Sequence, residues 1–290
     1  MAREVCLIVN PRAGGGRAAS RLPAVEAALR ARGCPFRVER TTSIDHARAL
    51  ARGARDAGEV AAAMGGDGLM GAVAGELRGT DGVLGVLPGG RGNDWARKLG
   101  IADDAETAVE IIANGTERTV DVALAGERTY LGIASAGIDS DVQVIANATR
   151  LPLGGLVYVY GTLRALARWK PARWTVTVDG ETHTFTGYSV AVANSGVFGG
   201  GMLLVPDASI EDGLLDIVLG GGVSKPRYLM LLAKVFNGTH VHDPSLTLLT
   251  GREVSFSADR PFVAYADGDP IAELPATFRV VPAALRVLAP

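Results

Sequence analysis

Val60-Ala61-Ala62-Ala63-Met64-Gly65-Gly66-Asp67-Gly68 joins a strand-like apolar run to a glycine turn, and residues 69–78 beyond it carry helical spacing. Glycines at such a junction let backbone N–H groups approach a phosphate, and the helix N-terminus that follows favours negative charge. Working outward, the same alternation fills the first 120 residues. Residues 5–9, 36–40 and 83–87 read as strands, and 21–32, 45–56, 94–99 and 103–113 as helices. Strands alternating with short helices predict a parallel, doubly wound sheet. In such a sheet ligands gather at the carboxyl ends of the strands. The glycine clusters at 14–16, 65–68 and 89–92 each follow a predicted strand, so they fall along that one edge.

Past residue 120 the pattern changes. Residues 119–124, 129–134, 174–178, 183–185, 189–193, 214–219, 253–257 and 279–281 read as strands. Helices are expected only near 141–148, 155–168 and 225–235. Runs of strands predict an antiparallel β-sandwich. The expected division is an α/β domain with phosphate-type glycine loops over 1–120 and a β-rich domain over 121–282. Whether 283–290 rejoin the first domain is left open by the sequence.

Composition narrows the class. The chain has 290 residues, 48% of them hydrophobic, enough for a sizeable core rather than a disordered tail. With 29 Lys+Arg against 31 Asp+Glu it carries no basic excess, which argues against nucleic acid as the partner. No run approaches the length of a transmembrane helix, and residues 5–9 are too short for a signal-peptide core. Cys6 and Cys34 form no disulfide framework, so a cytoplasmic location is expected. Only four of the basic residues are lysine (Lys98, Lys170, Lys225 and Lys234), which leaves few candidates for a lysine-dependent phosphate site.

Three loops carry the chemistry. Gly66-Asp67-Gly68-Leu69-Met70-Gly71 satisfies G-x-G-x-x-G, but the next strand ends in Leu87-Pro88-Gly89, without the carboxylate that a dinucleotide site places on the ribose. An aspartate inside the turn would also repel a pyrophosphate unless a cation intervened. Pro88-Gly89-Gly90-Arg91-Gly92-Asn93-Asp94 sets a second loop on a helix start, with Asp94 a plausible N-cap and Arg91 able to reach a phosphate. Asn10-Pro11-Arg12-Ala13-Gly14 follows the first strand and lacks the lysine of a Walker loop.

In this order the loops resemble the catalytic-domain family of diacylglycerol kinases, which includes bacterial lipid kinases and sphingosine kinases. The family's N-P-x-x-G, G-G-D-G-T and P-x-G-T-x-N-D stand here as Asn10–Gly14, Gly65–Leu69 and Pro88–Asp94. The resemblance continues through Ala134-Ser135-Ala136-Gly137-Ile138-Asp139, the stretch 206–213 and Asp267-Gly268-Asp269, nearly the whole chain. More distantly, the G-G-D-G loop is similar to that of NAD kinases and phosphofructokinases. The resemblance implies an ATP- and Mg²⁺-dependent kinase acting on a lipid hydroxyl at a membrane surface, with nucleotide in a cleft between the domains. It implies nucleotide contacts at Asn10, Pro11, Arg12, Ala13, Gly14, Thr41, Gly65, Gly66, Asp67, Gly68, Leu69, Met70, Gly71 and Arg91. It further implies a metal position at Asp212 with the carbonyls of Ser209 and Leu214, and a general base at Asp269.

The chain departs from the family at several of these positions. Leu69 replaces a threonine, Gly71-Ala72 an Asn-Glu, Arg91 a threonine, and Asp269 a glutamate. Two other functions therefore stand beside lipid phosphorylation: a non-catalytic nucleotide- or lipid-binding module, and a kinase of a soluble hydroxyl compound. Homo-oligomerisation is left open. His240 and His242 alternate within 239–243 but lack a third ligand, so a polar loop is expected rather than a metal site. Residues 150–173 are basic and aromatic; the expectation is a helix that packs a Leu156/Val159/Leu163/Leu166 stripe on the sandwich, and the alternative, compatible with it, is an interfacial helix whose polar face, with Arg164 and Arg168, meets anionic lipid headgroups.

Overall fold

A computed structural model describes residues 3–149 and 156–290. The chain folds as two compact units, Met1–Val122 with Pro282–Pro290, and Ala123–Val281.

The first unit runs β1 (Val5–Val9), α1 (Arg17–Ala31), β2 (Phe36–Arg40), α2 (Ile44–Asp56), β3 (Val60–Gly65), α3 (Asp67–Leu77), β4 (Val83–Pro88), α4 (Asp94–Lys98) and α5 (Ala105–Asn114). Its strands lie in the order β2-β1-β3-β4 and every pair is parallel. Leu7 pairs with Val38 on one side and Ala62 on the other, and Ala62 continues to Gly85. β1 and β3 are buried at every residue. That is why they read as unbroken apolar runs rather than as alternation, as strands covered on both faces do. Helix α1 packs with α5, and α2 with α3. Side-chain caps fix two helix starts: Ser43 accepts from His46 N at 3.1 Å, and Asp104 from Thr107 N at 2.7 Å. Helix α1 begins four residues before the expected start at 21, because Gly16, at φ +96°, turns the chain into the helix ahead of the apolar pattern.

The second unit is entered within β5 (Thr116–Ala125) and continues through β6 (Arg128–Tyr130), β7 (Ile133–Gly137), α6 (Ile138–Ala148), α7 (Leu156–Arg168), β8 (Ala172–Val178) and β9 (Glu181–Ala193). Then come the short β10 (Val197–Phe198) and β11 (Met202–Leu203), β12 (Leu215–Gly221), α8 (Lys225–Val235), β13 (Leu246–Gly251), β14 (Glu253–Ala258), β15 (Val263–Ala266), β16 (Asp269–Glu273) and β17 (Ala276–Ala289). The ladder β16-β15-β7-β9-β8-β14-β17 is antiparallel throughout, and β12 and β13 extend it from β9. Its core is aromatic: Phe256 stacks on Phe278 at 5.0 Å, and Trp174 is fully buried. β17 ends in the first unit, where Arg286 and Val287 lie parallel to Val83 and Leu84.

Several local expectations change. The strand expected over 129–134 is two, β6 and β7, because Leu131 and Gly132 donate their N–H groups to Asp267 instead of to a neighbouring strand. The strands expected at 183–185 and 189–193 are one, β9. β13, β15 and β16 were not expected at all; they are short, and turn residues crowd them. The inward stripe on α7 is Val157, Gly161, Ala165 and Leu166, while Leu156, Val159 and Leu163 are exposed. Small residues select that face, since a Cβ on Gly161 would lie 3.1 Å from the Val142 carbonyl of α6. Arg150 lies outside the described residues. His240 and His242 fall on a 3₁₀ turn, Thr239–His242, where His240 Nε2 lies 2.9 Å from the Leu204 carbonyl.

Candidate functional site

The three glycine loops close on one another at the carboxyl ends of β1, β3 and β4. Asn10 N donates to the Met64 carbonyl at 3.0 Å, and Gly89 N to the Gly65 carbonyl at 2.8 Å, so each strand's exit is tied to the next. The contacts are too close for side chains. A Cβ on Gly14 would lie 2.6 Å from the Gly89 carbonyl oxygen, and one on Gly90 2.3 Å from Gly66 Cα. Gly14, Gly15 and Gly16 all sit at positive φ (60°, 70° and 96°), which glycine adopts without strain. The Asn10 side chain accepts from Arg12 N at 3.1 Å and braces its loop. Asn93, itself at φ +55°, accepts from Gly90 N at 2.8 Å and braces the other.

The residues expected at the phosphates are therefore largely gathered. Asn10, Pro11, Arg12, Ala13 and Gly14 form the first loop, Gly65 to Gly68 the second, and Arg91 stands exposed on the third. Thr41 follows β2, with its N–H on the Val9 carbonyl at 2.8 Å, at the same end of the sheet. Leu69, Met70 and Gly71 are buried inside α3. Leu69 supplies no hydroxyl; it packs against the Gly65 backbone, where a Cβ would meet its Cδ2 at 2.7 Å. Asp67 opens α3 and accepts from Trp95 N at 3.0 Å through Oδ1, which fastens α4 to this loop. Asp67 Oδ2 and Asp94 Oδ2 both approach the position a Cβ on Gly92 would take, at 3.1 and 3.0 Å.

Arg17 was not expected from the sequence. It reaches Asp103 through Nη1 at 3.3 Å, while its Nε and Nη2 are buried without a hydrogen-bond partner. The Nε lies 3.3 Å from the position a Cβ on Gly14 would occupy. Unpaired guanidinium nitrogens beside a glycine loop suit an anionic ligand. No motif flags this arginine, which simply follows the glycine run.

In the second unit Asp267 and Gly268, at φ +51° and +94°, form the two-residue hairpin between β15 and β16. Asp267 holds Leu131 N at 2.8 Å and Gly132 N at 2.9 Å, so it is a structural anchor. Asp269 starts the return strand. Although the residue is exposed as a whole, its carboxyl is sheltered enough that desolvation raises its pKa, opposed by Arg128. Asp212 is exposed and accepts from Leu214 N at 3.0 Å; Ser209 accepts from Glu211 N at 3.2 Å. One carboxylate and two carbonyls in a single turn suit a hard cation that keeps most of its waters. Among the described residues no group of three or more His, Cys, Asp or Glu could hold a metal by side chains alone.

A parallel sheet with converging phosphate-type glycine loops, joined to an antiparallel β unit, is the build of a class of two-domain kinases. Residues 4–125 match the diacylglycerol kinase catalytic domain, and residues 132–289 the YegS C-terminal NAD kinase beta sandwich-like domain. The chain belongs to this diacylglycerol kinase family. It is 32% identical to the diacylglycerol kinase of Mycobacterium tuberculosis (strain ATCC 25618 / H37Rv), over 99% of this chain and 95% of that protein. It is 28% identical to the "Probable lipid kinase YegS" of Salmonella arizonae, over 95% of this chain and 94% of that one. A crystal structure of a diacylglycerol kinase from Bacillus anthracis str. Sterne shares the fold with TM-score 0.77 at 18% identity, covering 100% of this chain and 97% of that one.

Proposed function

We propose that this protein transfers the terminal phosphate of ATP to a lipid hydroxyl. The observation that carries this reading is the convergence of the three loops, whose backbone N–H groups and Arg17 suit a triphosphate. The nucleotide contacts would be Asn10 to Gly14, Thr41, Gly65 to Gly68 and Arg91, with Arg17 added, while Leu69, Met70 and Gly71, buried inside α3, support the loop from behind. In the reaction the acceptor oxygen bonds to the γ-phosphorus, the bond from that phosphorus to the β–γ bridging oxygen breaks, and ADP leaves. The hydroxyl proton passes to Asp269. Asp212 with the Ser209 and Leu214 carbonyls, and Asp67 beside Asp94, would hold magnesium. When bound, the ion neutralises charge on the triphosphate. Labelled ATP, magnesium and a panel of diacylglycerol, sphingoid, prenol and soluble acceptors test the proposal. Transfer to a lipid supports it; transfer to soluble acceptors alone, or ATP binding without transfer, defeats it.

A base works only when deprotonated, and desolvation holds Asp269 above the usual carboxylate range. Activity should therefore fall with pH through that raised value, giving an acid limb higher than an ordinary aspartate would. Asp269→Asn should remove the limb and about 10²-fold or more of kcat. Asp269→Glu should keep most of the activity. A full pH–rate profile checks both, and an unchanged limb in Asp269→Asn rules the assignment out.

We also propose that the outer face of α7 rests on an anionic bilayer. Leu156, Val159 and Leu163 are exposed there, and Arg164 and Arg168 flank them. Among the described residues no helix is long and apolar enough to cross a membrane. Reversing both arginines to glutamate should weaken binding to phosphatidylglycerol vesicles by at least about tenfold and leave neutral vesicles unaffected. Equal binding in a sedimentation assay would remove the idea.

A further inference from the structure

The three glycine loops contain no lysine, so positive charge on them comes from arginine. Arg12 and Arg91 stand exposed on the first and third loops. Arg17, the first residue of α1, is held instead by an ion pair. Its partner Asp103 lies between α4 and α5 and takes Nη1 through Oδ2 at 3.3 Å. The other two nitrogens, Nε and Nη2, form the side-on edge of the guanidinium, and both are buried without a hydrogen-bond partner. That edge carries two parallel N–H donors, the fork that fits a pair of phosphate oxygens. Buried donors left without an acceptor are costly, and an anionic oxygen pair would relieve the cost.

Asp103 does more than neutralise Arg17. Its Oδ1 accepts from Arg21 Nη1 at 2.6 Å and from Asn93 Nδ2 at 3.4 Å. Arg21 Nη1 also donates to the Pro88 carbonyl at 3.3 Å, and Asn93 Oδ1 accepts from Gly90 N at 2.8 Å. One carboxylate therefore bridges the start of α1, the end of β4 and the third loop. Its own backbone is fixed, because the next residue, Asp104, caps α5 by accepting from Thr107 N at 2.7 Å. With Oδ1 engaged by Arg21 and Asn93, Oδ2 receives Arg17 by Nη1, and the side-on edge is left to face elsewhere. Its Nε lies 3.3 Å from the position a Cβ on Gly14 would take, a point that the Gly89 carbonyl oxygen approaches to 2.6 Å. The edge thus borders the seam between the first and third loops. Cβ atoms on Gly15 and Gly16 would meet nothing within 4 Å, so this stretch has room to shift as a phosphate enters.

We propose that Asp103 is a positioning residue: it holds Arg17 by Nη1 so that the Nε–Nη2 edge grips a pair of phosphate oxygens of the nucleotide where the first and third loops meet. This rests on the nucleotide reading of the loops and not on the lipid acceptor.

Calorimetric titration of the full-length protein with ATP, tripolyphosphate and adenosine, magnesium present throughout, separates the phosphate contribution from the rest. Arg17→Ala should weaken ATP and tripolyphosphate at least about tenfold and leave adenosine within about twofold. Arg17→Lys keeps the charge but not the fork, so it should recover only part of that loss. Asp103→Ala keeps the guanidinium but frees it, and should cost about fivefold in tripolyphosphate affinity. Added to Arg17→Ala, the same change should cost no more than about twofold further, because the carboxylate acts through the guanidinium. A carboxylate that merely braces the loops through Arg21 and Asn93 predicts instead the same loss in both backgrounds. The Arg17 side chain is 33% exposed and that of Asp103 48%, so the variants should melt close to the native protein. Tripolyphosphate affinity within about twofold of wild type in Arg17→Ala, full recovery in Arg17→Lys, or additive losses in the double variant overturns the proposal. A native protein that binds neither ATP nor tripolyphosphate overturns it together with the nucleotide reading. The expected pattern of affinities without transfer to any lipid would sink the lipid kinase reading alone.

Discussion

Gly90→Ala should abolish ATP binding and cut kcat/KM by about 10²-fold or more. A Cβ at this position would lie 2.3 Å from Gly66 Cα and 3.0 Å from both Gly66 N and Asn93 Oδ1. The first two are backbone atoms, so no side-chain rotation relieves the clash, and the third belongs to the amide that accepts from Gly90 N. The loops must part, and with them the backbone groups proposed to hold a triphosphate. A displacement of about an ångström in positioning groups is worth about two orders of magnitude in rate. The same overpacking should cost about 1–3 kcal/mol of stability. Gly53→Ala is the control: it lies within α2, meets nothing within 4 Å, and should be neutral or slightly stabilising. Calorimetric ATP titration and thermal melting of the two variants check the contrast. ATP affinity within about twofold of wild type in Gly90→Ala would mean that loop convergence has nothing to do with nucleotide.

The parallel sheet was legible because β1, β3 and β4 are almost wholly buried and read as apolar runs, the half-buried edge strand β2 alternates, and glycines follow the helix ends. The loops were legible for the same reason: glycine is required where backbones meet, and the sequence displays those glycines. What could not be read is what depends on contacts distant in sequence. Arg17 is one arginine among many until the fold sets its Nε beside Gly14 and leaves it unpaired. Asp267 reads as a turn residue, yet it also fixes Leu131 and Gly132, some 135 positions earlier, and so splits one expected strand into two. On α7 the hydrophobic pattern named the wrong face, because close helix approach rewarded Gly161 and Ala165 over the larger Leu156 and Leu163. Leu69 looked like a lost phosphate contact; its burial against Gly65 makes it a packing residue of the loop's own support.

Asp67→Asn should lower kcat by about 10²–10³-fold while the protein melts close to wild type. The substitution keeps the shape of the side chain and the Oδ1 acceptor that receives Trp95 N, so α4 stays anchored. It removes only the charge and one acceptor. Those matter because Asp67 Oδ2 and Asp94 Oδ2 both lie about 3 Å from the same point over Gly92, an arrangement of like charges that is costly without a cation. Arg97 answers part of it, through Asp94 Oδ1 at 2.9 Å. The Asp67 carboxylate is a negative group toward which a magnesium–triphosphate would be drawn, and its loss should raise the magnesium concentration needed for half-maximal rate. A purely structural Asp67, serving only as the anchor of Trp95, predicts the opposite: full activity in the asparagine variant and a large drop in alanine through the lost hydrogen bond. Magnesium titrations of kcat for both variants, read beside their melting temperatures, separate the two. Activity in Asp67→Asn within about threefold of wild type would leave this carboxylate no part in phosphoryl transfer.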